Sequence, residues 1–171
     1  FALLPLGLSP VAAMETVDYE YLVASGVLCD IGGCPAISEA ANGDTIEVSG
    51  GGMLSIHPKS VTGEGTFIHR NADGDVLASG TWIAEELISF HSYGSGAAQG
   101  LPEDFEGGLA LIRVGLYVGD TRVANAVMQI DCTLGKPPAG SIEGFRLAVH
   151  GQGFGINFNE EVSGFTLFIR E

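Results

Sequence analysis

Positive charge is scarce in this chain: 7 Lys and Arg stand against 21 Asp and Glu, a formal net charge of −14, and the only lysines are Lys59 and Lys136. Nucleic acid and anionic membrane surfaces are bound through basic patches, so both are excluded as principal partners. Long apolar runs are also missing. The N-terminal run over residues 1–8 is well short of the roughly 20 apolar residues that a membrane-spanning helix needs. No Asn-x-Ser/Thr sequon occurs, so N-glycosylation is not expected, and no Gly-x-Ser-x-Gly elbow offers a nucleophilic serine. The glycines of "GQGFG" lack the strand-to-helix context of a dinucleotide site. No cofactor is expected.

Cysteine is sparse as well, with three in 171 residues. Cys29 and Cys34 in "CDIGGC" are candidates for a small disulfide-closed loop, while Cys132 in "AVMQIDCTL" falls on an apolar face and is expected as a buried thiol. A pairing of Cys132 with either of the others stays open, because connectivity does not follow from sequence. Zinc is not expected, since no second close pair of Cys or His completes a four-ligand set.

What the chain has in quantity is glycine, 26 residues, and alternation. Apolar residues recur at spacing two over 17–23, 45–48, 53–57, 61–70, 76–84, 87–93, 109–118, 122–134, 142–150 and 164–170, with glycine-bearing breaks between most runs. The fold class is therefore all-β: an antiparallel meander closed or nearly closed into a barrel of about eight strands, with a β-sandwich as the alternative. At most one short helix is expected, near 34–41. The irregular segment 93–108 is long enough to cover a barrel mouth.

The first thirteen residues, "FALLPLGLSPVAA", read as the second half of a secretory signal, with small residues where a signal peptidase cuts. The expected organisation is a signal-peptide remnant at 1–13 and a single all-β domain at 14–171, secreted to the extracellular space. An apolar first strand is the alternative for 1–13.

Candidate chemistry centres on "HRNADGD", residues 69–75. An EF-hand with Gly74 at its sixth position would put His69 first and Gly80 twelfth, so both essential ligands fail and no metal site is expected. Asp73-Gly74 between two alternating runs is instead a hairpin turn. His69 shares the inward face with Val61 and Phe67 and is the candidate catalytic acid or base. Candidate ligand contacts are Trp82, Arg113, Asp131, Asn157 and Asn159. Arg113 interrupts an apolar strand, as an outward ion pair or an anion contact, and the two asparagines flank Phe158 as a rim of amides would. Carboxylate pairs could be drawn from Glu64, Asp104, Glu106, Asp131 or Glu160, but sequence sets no separation between them.

The stretches "ANGDTIEVSGGGMLSIHPKSVTGEGTFIHRNADGDVLASGTW", "LPEDFEGGLALIRV" and "NFNEEVSGFTLFI" resemble small secreted proteins of filamentous fungi that lack an assigned activity. The resemblance implies secretion and an all-β fold, and it carries over no catalytic residue. The function expected is binding of a small, mostly apolar ligand. A cavity enzyme of cyclase, isomerase or lyase type using His69 is the alternative, and a surface- or host-interaction protein without a cavity is the second alternative.

Overall fold

The computed structural model describes residues 16–171, so the expected signal remnant at 1–13 lies outside the described residues. Within them the chain is all-β and antiparallel. Its ten strands are β1 (Asp18–Val23), β2 (Ala36–Ala40), β3 (Thr45–Ser55), β4 (Ser60–Arg70), β5 (Val76–Ser95), β6 (Phe105–Val118), β7 (Thr121–Cys132), β8 (Gly144–Gly151), β9 (Phe154–Ser163) and β10 (Thr166–Arg170). Eight of them close into a hydrogen-bonded ring, β6-β5-β4-β3-β2-β9-β8-β7, with β7 pairing back to β6. Closure leaves no free edge in these eight, which removes the template for edge-to-edge association.

β1 and β10 make a second closure at one end of the ring. β3 pairs with β2 through Thr45–Val48 and with β1 through Gly50–Ser55. On the far side β6 pairs with β10 at Phe105 and Glu106 and with β7 from Gly108 onward. One long strand serves two partners only if it bends, and β5 bends at three register shifts, between Ala84 and Glu86, Leu87 and Ser89, and Ser92 and Gly94. The run 45–48 and most of 53–57 thus belong to one strand that ends at Ser55 and is continuous through Gly50–Gly52, and 76–84 and 87–93 belong to another.

Period-two alternation builds the interior. Ala124, Ala126, Met128 and Ile130 of β7 face inward beside Ala110, Ile112, Val114 and Leu116 of β6, and Phe67, Trp82, Phe145 and Phe158 fill the space between them. Cys132 joins this core as a free thiol, and burial pushes its pKa up to about 12, which leaves it protonated and unreactive. The disulfide is Cys29–Cys34, with Cα atoms 4.9 Å apart. No helix among the described residues is long and apolar enough to cross a membrane.

The helix expected near 34–41 is a correction: these residues form β2, and the short helix is at Val27–Asp30. Ala36, Ser38 and Ala40 point inward with the Ser38 hydroxyl donating to the Phe145 carbonyl, so the alternation is real but made of small residues. Their helix-compatible composition yields to pairing with β3 and β9. The segment 93–108 is also more regular than expected, since β5 runs to Ser95, a 3₁₀ turn covers Gly96–Gln99 and β6 begins at Phe105.

Candidate functional site

Four turns meet at the end of the ring remote from β1 and β10: residues 41–44, 71–75, 119–120 and 152–153. The turn at 71–75 is closed by backbone bonds, Asn71 N to Asp75 O at 2.9 Å and Gly74 N to Asn71 O at 2.9 Å, with Gly74 at φ 89°. Asn71 Oδ1 accepts from the backbone of Asp73 and Asp75. Its ligand-like composition is therefore spent on its own backbone. The turn at 41–44 is built the same way, with Asn42 Oδ1 accepting from Asp44 N at 3.1 Å and Gly43 at φ 84°.

Between these turns the ring holds an open cavity of about 310 Å³. Its wall is apolar and comes from β3 to β9, with Ile46, Phe67, Leu116, Ala124, Val149 and Phe158 the most buried of the lining residues. Ala78 lies in the wall near the opening. Val123 and Phe154 line the same space yet are 43% and 53% exposed, which gives the opening an apolar lip.

His69 is the polar side chain in this wall. The register Ile46↔His69 between β3 and β4 brings it beside the turn that ends in Asp44, and its Nε2 lies 2.8 Å from Asp44 Oδ2. Both side chains are mostly buried, at 22% and 14% exposure. The ring packs edge-on against Phe158, with centroids 5.3 Å apart. An ionised carboxylate only accepts, so the neutral imidazole carries its proton on Nε2, and Nδ1 is left as an acceptor. No protein group among the described residues hydrogen-bonds to Nδ1.

The other expected contacts are dispersed. Trp82 is fully buried, its Nε1–H donating to Ser49 O at 3.1 Å, and it lies outside the cavity wall. Arg113 is half exposed on the outside of the ring and pairs with Glu86. Asn157 and Asn159 line a shallow groove on the outer wall with Gln129 and Arg146, and the Asn159 carbonyl accepts from Arg146 Nε at 3.2 Å. Asp44, Ala78, Val123 and Phe154 belong to the site and were not singled out by sequence.

Asp131 sits at the opposite end of the ring, 5% exposed, with Oδ1 lacking a hydrogen-bond partner. Burial raises its pKa above the usual carboxylate range, against the lowering influence of Tyr93, the Ile142 backbone and Arg146. A carboxyl raised on folding contributes stability that is complete below its unfolded value, about 4, and is lost as pH rises through the folded value. Asp131→Asn is therefore expected to gain on the wild type as pH is raised from about 4 to 7. Urea midpoints at several pH values check this, and a difference that stays constant with pH would refute it. No three His, Cys, Asp or Glu side chains among the described residues converge as a metal-binding group would.

No protein-family model, curated protein or solved structure matches the chain.

Proposed function

We propose that this is a secreted protein that binds a small, mostly apolar molecule in the mouth of its strand ring. The observation that carries this is the open apolar cavity of about 310 Å³ with a single polar side chain among the described residues, His69, in its wall. Ligand sites are typically such concavities, apolar with a few placed polar groups, and this volume is at the small end of their range. The exposed lip of Val123 and Phe154 supports entry of an apolar molecule from solvent. Secretion is supported by the Cys29–Cys34 disulfide, a bond that persists in oxidising compartments.

Aminoanthracene, a neutral dye that brightens in apolar surroundings, tests the cavity. Ala78 is half-buried in the wall, so Ala78→Phe fills the opening with little disturbance of the core. The wild type is expected to bind the dye, and Ala78→Phe to weaken binding at least tenfold, about 1.4 kcal/mol. Binding that Ala78→Phe leaves unchanged would place the dye elsewhere and overturn the reading.

A further inference from the structure

We propose that His69 is a catalytic base, positioned by Asp44, that moves a proton from carbon on the molecule held in the cavity. This rests on the ligand-binding reading of the same cavity and adds a reaction to it. Three features of the geometry point to proton transfer. The ring nitrogen bonded to Asp44 at 2.8 Å fixes the tautomer and leaves Nδ1 with a free lone pair. Phe158, packed edge-to-face at 5.3 Å, restricts rotation of the ring. The surrounding wall is apolar, so a base there is not competing with a wall of hydrogen-bonding groups.

The same wall limits the substrate class. His69 is the one polar side chain among the described residues lining the cavity, so no second side chain is placed to stabilise negative charge developing on the substrate. The substrate must take up that charge itself, through conjugation or a leaving group. That describes a small apolar carbon acid undergoing elimination or double-bond migration. A nucleophilic role fits less well, because a covalent intermediate at an acyl centre needs donors for its oxyanion.

Nitrobenzisoxazole is a probe of this chemistry and is compact and apolar. The Nδ1 lone pair takes the ring C–H proton, the C–H electron pair becomes part of the nitrile, and the N–O bond breaks with its pair leaving on a coloured phenolate. The imidazolium then returns its proton to water. Non-cleavable nitroindazole reports binding separately.

The wild type is expected to bind nitroindazole and to open nitrobenzisoxazole above the buffer rate. His69→Ala should lower kcat/KM by about a hundredfold or more, the usual contribution of a positioned base, while nitroindazole still binds. Added imidazole should restore part of that rate, which a purely structural histidine would not allow. Asp44→Ala should lower kcat by about tenfold with KM unchanged, as expected of a residue that only sets the tautomer. His91→Ala, on the exposed outer side of β5, should leave the rate as in the wild type. Binding of nitroindazole without a His69-dependent rate would overturn the proposal and leave the cavity reading standing. Failure of nitroindazole to bind, with aminoanthracene also unbound, would overturn both.

Discussion

Trp82→Ala is expected to lower stability by about 3–5 kcal/mol, a large part of the roughly 5–15 kcal/mol that holds a domain folded. The indole, carried on β5, is completely buried against the glycines of β3 and β4 and donates to Ser49 O at 3.1 Å. Two glycines make room for it. A Cβ on Gly65 would lie 1.9 Å from the Ser49 carbonyl oxygen and 2.5 Å from Trp82 Nε1, and one on Gly50, whose φ is 145°, would lie 2.7 Å from Trp82 Cζ2. Neighbouring strands with no side chain at these positions cannot collapse into the space that an alanine leaves. The cavity term is then close to its full size, and the melting temperature should fall by roughly 10 °C or more. Circular dichroism is the appropriate signal, since Trp82 is the single tryptophan and its removal silences intrinsic indole fluorescence. Trp82→Phe should fall between the two, losing the hydrogen bond and part of the volume. An unchanged melting temperature for Trp82→Ala would show that this side chain does not fill the ring.

The same pair of glycines shows what could be read from sequence and what could not. Alternation and glycine content indicate curved antiparallel strands, and glycines inside strands suggest close packing against a large side chain. They do not say which side chain, because Trp82 meets Gly65 only through the β4–β5 register, in which the two are partners. Strand length was misjudged for a related reason. "SGGG" is written like a turn, yet Gly50–Gly52 continue β3 because β1 and β4 both pair across them. β2 was hidden by its composition, with alanine and serine inside where valine or isoleucine would have been legible.

Of the site, His69 alone was legible in the sequence. Inward alternation identifies His69 from β4 alone. Asp44 required the hairpin folded at His57-Pro58, whose register sets Ile46 against His69 and so carries the 41–44 turn alongside it. The wall residues from β7, β8 and β9 were out of reach, since their approach depends on ring closure through β6–β7 and β2–β9. Asn157 and Asn159 alternate with Phe158 as supposed, but the face they occupy is the outer wall, because Phe158 takes the inner one.

Glu143→Gln is expected to cost about 3 kcal/mol, nearly as much as Glu143→Ala, and the similarity of the two is the informative result. The carboxylate stands just before β8 and accepts three hydrogen bonds and a share of a fourth, because the single Thr166 hydroxyl proton is divided between Glu143 and the Asp131 carbonyl, 3.0 Å away. Oε2 takes Thr133 N at 2.7 Å and Thr133 Oγ1 at 3.1 Å, and Oε1 takes Thr166 N at 2.8 Å and Thr166 Oγ1 at 2.9 Å. It therefore ties the exit of β7 to the first residue of β10, where the chain leaves the eight-stranded ring. Bonds to a charged acceptor contribute about 1.5–3 kcal/mol each when measured singly, though these share one side chain and will not add. A glutamine keeps one acceptor oxygen and turns an NH₂ donor toward a backbone N–H that has no other partner nearby. Thr166 is 3% exposed, so its amide has no water to fall back on. The loss should be local before it is global. Amides of β10 and of β1, which pairs with it through Val23↔Thr166, should exchange faster in either variant, while β4 and the His69 cavity keep their protection. Hydrogen exchange read by mass spectrometry distinguishes this from uniform destabilisation. Equal acceleration in peptides from β4 and β10 would mean that Glu143 supports the whole sheet rather than the second closure.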